Sequence, residues 1–506
     1  MKRICFLSVM IILAASCRFL DEDPRGQLSP DTIVTSEANL YLTTLGNLYR
    51  RIGSDTDGEG LGGTGRGIYD LNTFTTDEAL IPIRGGDWYD GGLWRRLHEG
   101  AWEVGEAPVK NAWTYLYKVI VMANQALDDL DEAEQTAQVL AWKDETKALR
   151  CLFYYYLLDL YGNVPYVTGT DLPLSEVAQV SRPVLFGALV KELRSVLPSL
   201  AAERSNAPGR YYGRMTRSVA WMLLAKLALN ASVYAPGEQT EYAEGITDPM
   251  EAVLYYVDLL SSAGYGLAPE YEDNFAVFNE SSIENIFTIP MDKHLYSAQN
   301  QYLFRSRHYD HAAACGFTGE NGPSATLEAL SANGFGTEDE DPRFAVNYWG
   351  GQALDLDGNP VEGVVYKPQS VAMDVTGTPD EKYAGARMRK YEMDPTAMKD
   401  GKLMDNDYVL FRYGDALLMQ AEALWRLNRP EEALSCLNAV RVRSNAVLLE
   451  SVDADVLLRE RMIELAWEGH RRGDMIRFGV FGGNPLFPIP GDIIDSNPLL
   501  NQNEGY

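Results

Sequence analysis

The sequence has few basic residues, few cysteines and only one long apolar run. Its 506 residues include 44 lysines and arginines against 72 aspartates and glutamates, which gives a formal charge of −28. A surface that acidic repels phosphate backbones and argues against nucleic acid as a partner. Cys151, Cys315 and Cys436 are the cysteines of the chain body, and three thiols of which two lie in apolar helical patterns do not make a disulfide framework.

Motifs that carry known catalytic chemistry are missing. The sequence has no Gly-x-Ser-x-Gly elbow, no His-Glu-x-x-His and no Cys-x-x-Cys. The glycine-rich stretch 53–67 lacks the Gly-Lys-Ser/Thr of a phosphate-binding loop. His308, His311 and Cys315 would share one face of a helix, but zinc needs further ligands and none is evident. We therefore predict that the protein binds no metal or cofactor and is not an enzyme. A hydrolase stays an alternative, because 72 acidic residues make chance carboxylate pairs inevitable.

Residues 1–16 have the composition of an export signal. Two basic residues precede an apolar run that is too short to remain in a bilayer as a spanning helix. Cys17 follows the small residues 14–16, and this pattern resembles the bacterial lipobox, which implies cleavage before Cys17 and its lipidation. The alternative is an ordinary signal peptide with an incidental cysteine. We predict a lipidated tether over 17–35 and a single domain over 36–506.

The clearest helical pattern covers residues 407–444. Apolar residues recur at spacings of three and four from Leu410 and Phe411 to Trp425, as in an amphipathic helix, and Pro430 opens a second periodic segment. Small residues in both segments allow a close antiparallel pair of the tetratricopeptide type. Because such a pair cannot bury its apolar face alone, we expect more pairs and a mostly α-helical fold.

The rest of the chain divides into helical and irregular parts. Helical patterns cover 36–51, 107–130, 137–161, 182–200, 216–234 and 249–263. Between 264 and 406 the helical period lapses, and the short apolar pieces 285–290 and 361–366 favour strands. We predict a helical scaffold over about 36–263 and 407–480, with an irregular, loop-rich excursion over about 264–406 packed on it.

Residues 84–100 concentrate aromatic side chains among glycines without a helical period. We predict a loop that presents Trp88, Tyr89 and Trp94, since binding residues concentrate on loops held by a rigid scaffold. The alternative is a loop that folds back to cover the core with its own aromatics. A second aromatic set lies in the excursion and could meet the first: Tyr296, Tyr302, Tyr309, Tyr348 and Trp349.

Several segments resemble a known family. They include Arg412–Ala423 (RYGDALLMQAEA), Glu460–Arg477 (ERMIELAWEGHRRGDMIR) and the Thr-Asp-Glu-Ala of 76–79. With 148–165 and the tail 486–506, these segments resemble the SusD/RagB outer-membrane lipoproteins of Bacteroidota, in the order that the family has them. Gly473 departs from the family pattern, where an aromatic residue is more usual.

The resemblance implies the fold and the function together. The fold would be a right-handed superhelix of tetratricopeptide-like pairs. The protein would be held on the cell surface by a lipid on Cys17. It would capture oligosaccharides without cleaving them and deliver them to a SusC-like TonB-dependent transporter in the outer membrane. The charged residues Glu464, Glu468, Arg471 and Asp474 would form a structural ion-pair network rather than a site.

The expected ligand residues follow from how proteins hold sugars. A sugar ring stacks its apolar C–H face on an indole or phenol, while its hydroxyls need polar neighbours such as Asp87 or Arg84. The predicted ligand-binding residues are Arg84, Asp87, Trp88, Tyr89, Trp94, Tyr296 and Trp349. The alternative function is binding of peptide or protein cargo by the helical scaffold.

Overall fold

The computed structural model describes residues 37–54, 56–62, 65–295 and 302–506. The predicted leader (1–16), Cys17, the tether and Tyr296 lie outside the described residues. The predicted division into leader, tether and one domain stays a prediction.

Helices make up most of the regular structure. In chain order the α-helices are α1 (Glu37–Tyr41), α2 (Asn47–Ile52), α3 (Ile68–Thr73), α4 (Leu93–His98), α5 (Ala107–Glu132), α6 (Ala137–Leu160), α7 (Arg182–Val196), α8 (Arg217–Leu229), α9 (Ala231–Tyr234), α10 (Pro249–Ser262), α11 (Tyr302–Ser306), α12 (Tyr309–Ala314), α13 (Leu327–Ala332), α14 (Phe344–Asn347), α15 (Tyr413–Arg426), α16 (Pro430–Arg443), α17 (Ala454–Glu464), α18 (Arg471–Arg477) and α19 (Gly491–Ser496). A π-helical turn, Leu42–Gly46, joins α1 to α2.

Strands are short and pair only in twos among the described residues. They are β1 (Ala79–Leu80), β2 (Val164–Pro165), β3 (Gln179–Val180), β4 (Asn285–Ile289), β5 (Ser324–Ala325), β6 (Tyr348–Trp349), β7 (Gly351–Leu354), β8 (Pro360–Tyr366), β9 (Arg387–Met388) and β10 (Tyr408–Arg412). The antiparallel pairs are β1–β5, β2–β3, β4–β10, β6–β9 and β7–β8.

The long helices pack on one another in a continuous series. Helix α5 packs on α6, α6 on α7, and α8 on α10. Helix α10 then packs on α15, which packs on α16, so the C-terminal pair continues the scaffold although it is distant in sequence. The mostly α-helical fold class of paired helices is confirmed.

Local sequence explains where the scaffold helices begin. The side chain of Thr136 accepts a hydrogen bond from Val139 N and caps α6. Asp248 caps α10 in the same way, with proline in its first turn. Between α15 and α16, Asn428 adopts a φ of +59°, and proline again starts the second helix. These features were readable in the sequence, and the predicted helix pair at 407–444 is confirmed apart from its first turn.

Two stretches differ from the prediction. Leu410 and Phe411 lie in strand β10, not in a helix, because this segment pairs with β4 more than 100 residues earlier. Residues 93–98 form helix α4 although the sequence there shows no helical period. Both strand pairing and the packing of a short helix depend on distant residues, which local periodicity does not report.

One hydrophobic core runs through both parts of the scaffold and the excursion. It includes Leu48, Trp113, Leu223, Phe287 and Trp467, all nearly inaccessible to solvent. The excursion contributes short strands and turns that pack on the helices, as predicted. None of the helices in the described part of the chain is long and apolar enough to cross a membrane.

Candidate functional site

The loop between β1 and α4 has an unusual backbone that fixes its shape. Arg84 and Asp87 exchange two backbone hydrogen bonds and close a tight turn. Trp88 follows with a φ of +59°, which is rare for a bulky residue. Gly91 and Gly92 also have positive φ and lead into α4. A conformation of this kind persists only where surrounding contacts hold it, and such backbone strain concentrates at functional sites.

The indole of Trp88 is held by neighbours on several sides. Its Nε1 donates to the carbonyl of Glu320 at 2.7 Å, and its ring meets Trp94 edge-on with centroids 5.6 Å apart. A Cβ at Gly322 would lie 2.6 Å from the Trp88 ring, so only glycine fits there. The half-buried indole is therefore in a fixed position before any ligand arrives.

Three tyrosines extend this loop into a surface. Tyr89 is 58% exposed and Tyr309 is 45% exposed. The Tyr309 hydroxyl donates to Asp87 Oδ2 at 2.8 Å, which joins helix α12 to the loop. Tyr383, from a third segment, packs against His308 with centroids 4.7 Å apart, and His308 also contacts Tyr309. We call the side chains of Trp88, Tyr89, Tyr309 and Tyr383, with the adjoining Asp87 and Asp310, the aromatic surface.

Electrostatics keep the hydroxyls of this surface as donors. Burial, the hydrogen bond to Asp87 and its charge raise the pKa of Tyr309 to about 12. Burial lowers the pKa of His308 to about 4, so its imidazole is neutral at pH 7 despite the nearby Asp310. The surface thus offers aromatic faces, phenol donors and carboxylate acceptors, which suits a ligand that has both apolar faces and hydroxyls.

Arg84 does not face this surface, contrary to the prediction. Its guanidinium is buried and donates to the carbonyls of Asn321, Glu381 and Ala384 and to Ser324 Oγ, at 2.7 to 3.1 Å. The residue links the loop to two segments of the excursion. Its pKa is lowered to about 8 by burial and by the neighbouring Arg387. A ligand hydroxyl cannot reach it in this conformation.

Trp94 and Trp349 are also interior residues, contrary to the prediction. Trp94 is 1% exposed within α4, and its Nε1 donates to Asp90 at 2.7 Å. Trp94 supports Trp88 from below, which is the alternative considered for this stretch. Trp349 lies in β6 between His311 and the guanidinium of Arg389, which sits 4.3 Å above its ring at the edge of a cleft of about 630 Å³.

The structure brings part of the second aromatic set to the first. Tyr309 reaches the loop, whereas Tyr348 is a core residue beside Trp467. Tyr296 and the side chain of Tyr302 lie outside the described residues. Tyr383 was missed by the sequence reasoning, because a single tyrosine in an irregular segment gives no signal that it will pack beside helix α12.

The histidines are structural. The His308 side chain accepts from Asp310 N and caps α12. His311 uses both ring nitrogens, one with the Tyr366 hydroxyl at 2.9 Å and one with the Leu354 carbonyl at 3.0 Å. Within the described ranges, no group of three or more His, Cys, Asp or Glu side chains could hold a metal ion.

Comparisons with known proteins place the chain in a family. Residues 260–484 match the model of the SusD family, and residues 86–229 match a family model described as starch-binding and associating with the outer membrane. The starch-binding protein SusD of Bacteroides thetaiotaomicron is 25% identical, over 89% of this chain and 88% of that protein.

The chain is SusD-like.

Solved structures agree with the fold. Surface glycan-binding protein A of Bacteroides thetaiotaomicron, in complex with laminarihexaose, matches with a TM-score of 0.69 and 20% identity over 93% of this chain and all of that one. A SusD-like carbohydrate-binding protein of Bacteroides fragilis matches with a TM-score of 0.72 and 20% identity, over 93% and all of the respective chains. SusD family members are non-catalytic carbohydrate-binding proteins, which confirms the prediction that this chain is not an enzyme.

The SusD motif residues form buried ion pairs, as predicted. Arg412 contacts Glu284, Glu464 and Glu468 at 2.6 to 2.8 Å. Asp474 pairs with Arg461 and Arg477. The side chains in these pairs are each less than about 5% exposed. They connect the residue before β4 with β10, α17 and α18 and are therefore part of the scaffold.

Proposed function

We propose that this SusD-like protein captures oligosaccharides at the aromatic surface without cleaving them. The observation that carries the proposal is the convergence of Trp88, Tyr309 and Tyr383 from three separate segments, with carboxylate acceptors beside them. Tyr89 is exposed next to Trp88 in the same loop. Sugar rings would stack on the exposed phenols, and their hydroxyls would bond to Asp87 or Asp310. The known glycan binding of related SusD proteins supports the same assignment.

An open surface of this kind is expected to bind weakly. A millimolar dissociation constant corresponds to only about −4.1 kcal/mol. Weak capture suits a protein that must pass its ligand on, and many weak contacts along one polymer raise the effective concentration.

The test is calorimetric titration of a soluble form that starts at Arg18 with a panel of plant, host and microbial glycans. We expect binding to one polymer class. Replacement of Tyr89 by alanine should weaken it about tenfold or more, which corresponds to about 1.4 kcal/mol. The control is Tyr255→Ala, which removes a 40% exposed tyrosine from α10. Loss of binding in both variants, or in neither, contradicts the assigned site.

We infer that lipid on Cys17 anchors the protein in the outer membrane, exposed at the cell surface, and that a SusC-like TonB-dependent transporter receives its ligand. Support comes from the leader and from the outer-membrane association in the description of the matching family model. In cells, Cys17→Ala should lose palmitate labelling and leave the membrane fraction. Detergent-solubilised wild-type protein should co-purify with the transporter. Purification of the protein without any transporter would contradict the partnership.

Binding of peptide or protein cargo is the second candidate. A cleft of about 940 Å³ lies where α10 meets α15 and α16, lined by Tyr255, Gln420 and several carboxylates. Its acidic lining would suit a basic peptide. If the glycan panel gives no heat with a folded protein, and a basic peptide library binds and is lost in Tyr255→Ala, this candidate replaces the first.

A further inference from the structure

The polar groups that the aromatic surface offers to a ligand include several carboxylates. Asp87 and Asp310 are exposed, and each accepts a hydrogen bond from a tyrosine of the surface, Tyr309 at 2.8 Å and Tyr383 at 3.2 Å. Glu381 is half-buried at the edge of the loop, with Oε1 2.9 Å from where a Cβ on Gly85 would be. A ligand stacked on the phenols would therefore meet carboxylate oxygens beside the rings.

Asp87 and Asp310 are not neutralised by ion pairs. Among the described residues, neither lies within 4 Å of a lysine or arginine nitrogen. Asp310 lies 3.6 Å from His308 in ion-pair geometry. That imidazole is neutral at pH 7, since burial lowers its pKa to about 4. Neither carboxylate is therefore offset by a cation at contact distance in the described part of the chain.

The positive groups nearby are mostly out of a ligand's reach. Arg84 and Arg387 lie beneath the surface and share Ser324 Oγ as an acceptor. Their other hydrogen bonds go to backbone carbonyls and to Asn321. Lys382 is exposed. The partly exposed guanidinium groups beside the loop are each paired with a carboxylate: Arg66 with Asp90, Arg95 with Asp374 and Arg96 with Glu106. A ligand on the aromatic surface therefore contacts mainly carboxylate acceptors and phenols. The buried guanidinium groups reduce the negative potential of the carboxylates only from a distance.

We propose that the aromatic surface selects uncharged glycans and discriminates against glycans that carry carboxylate or sulfate groups. The inference rests on the proposed function and narrows its ligand class. Sugar hydroxyls can donate to Asp87 and Asp310, whereas an anionic substituent has no proton to donate and is repelled at contact distance. The formal charge of −28 on the whole chain adds a repulsion that acts on the approach of a polyanion.

The experiment compares polymers that share one backbone. Soluble starch, laminarin, dextran and galactomannan would each be tested unmodified, carboxymethylated and hydroxyethylated, by affinity electrophoresis and calorimetry with the full mature chain. The hydroxyethyl polymer carries a substituent of similar size without charge, so it separates repulsion from steric exclusion. We expect the hydroxyethyl form of the bound polymer to bind at least about fivefold more tightly than its carboxymethyl form at low salt.

Two variants locate the effect. Asp87→Asn with Asp310→Asn keeps an acceptor oxygen at each position and removes both charges, and it should reduce the hydroxyethyl-to-carboxymethyl ratio at least about threefold. Glu134→Gln, which removes an exposed carboxylate in the turn between α5 and α6, should leave the ratio unchanged. Raising the salt concentration to about 1 M, where the Debye length is about 3 Å, should also reduce the ratio in the wild type.

The outcomes separate the two proposals. Equal affinity for the carboxymethyl and hydroxyethyl forms, or tighter binding of the carboxymethyl form, overturns the charge selection while glycan binding stands. A ratio that the asparagine variant leaves unchanged also overturns it, because the discrimination would then arise elsewhere. If none of the polymers binds in any form, the proposed function itself fails.

Discussion

The ionic network around Glu464 and the aromatic surface contain the same kinds of side chain under opposite conditions. In the network, Glu464 and Arg412 are completely buried and every charge has a partner of opposite sign. On the aromatic surface, Tyr89 is 58% exposed, and Asp87 has no lysine or arginine partner among the described residues. The residues by which the family is recognised lie in the network. The family motif therefore identifies the scaffold and not the ligand-binding surface. The ligand is met by loops whose sequence carries no such motif.

The largest expected effect comes from breaking the network. Glu464 accepts from Arg412 and Arg443 through one oxygen and from Arg343 through the other. Burial alone would raise its pKa, but the three guanidinium groups hold it well below its ordinary value. Glu464→Gln would leave buried cations under-compensated, so we expect the free energy of unfolding to fall by about 3–5 kcal/mol.

Urea denaturation followed by circular dichroism checks this prediction. Glu134→Gln serves as the control, because its carboxylate is exposed and its loss should change stability by less than about 0.5 kcal/mol. A change below about 1 kcal/mol for Glu464→Gln would mean that the network is not a main support of the scaffold.

A smaller effect is expected where the scaffold meets the aromatic surface. An added Cβ at Gly322 would lie 2.6 Å from the Trp88 ring and 3.0 Å from the Arg305 carbonyl. Gly322→Ala should therefore displace the indole, cost about 1–3 kcal/mol of stability and weaken glycan binding. Gly86→Ala, in the same loop, is the matched control, since its Cβ would meet nothing within 4 Å. Equal stability of the two variants, measured by thermal denaturation, would show that Trp88 is free to move.

The pH dependence of stability probes the network in a different way. His470 lies 3.5 Å from Lys226 Nζ and 3.9 Å from Asp415, and burial with the Lys226 charge lowers its pKa to about 4. The unfolded chain takes up this proton near pH 6.5, so the contribution of His470 to stability is complete above that pH and is lost as the pH falls towards 4. His470→Gln should remove on the order of 1–2 kcal/mol of the stability difference between pH 7 and pH 5.

Denaturation curves of wild type and variant at the two pH values give this difference. His294→Gln, at an exposed position, is the control for loss of a histidine as such. If the two variants lose stability with falling pH as steeply as the wild type, His470 is not the group that resists protonation.

The contrast between the two regions also explains what the sequence could predict. Helices α5, α6, α10, α15 and α16 could be predicted from apolar periodicity and from proline and glycine signals, because these act within a few residues. Strand β10 could not, since its conformation depends on pairing with β4. The ionic network around Glu464 could be recognised because the SusD sequence motif itself contains several of the charged residues that form it.

The aromatic surface was predicted only in part. Trp88 and Tyr89 stand out because aromatic residues among glycines rarely build a helix, and both reach the surface. Whether a neighbouring side chain faces outward depends on what packs beneath it, and this is why Arg84 and Trp94 turned out to be buried. Tyr383 reaches the surface through the fold of the excursion, where the local sequence pattern does not predict which side chains face outward.

The smallest expected effect isolates a single hydroxyl on the aromatic surface. Tyr309→Phe keeps the ring and removes the hydrogen bond to Asp87, whose net worth at an exposed position is at the low end of about 0.5–1.5 kcal/mol. We expect stability to change by less than about 0.5 kcal/mol, and glycan affinity to fall about two- to threefold because Asp87 loses the donor that orients it. Tyr309→Ala, which removes the stacking face as well, should lose clearly more affinity in calorimetry. If the two variants bind alike, the ring of Tyr309 makes no contact with the sugar, and recognition is restricted to the Trp88 loop and Tyr383.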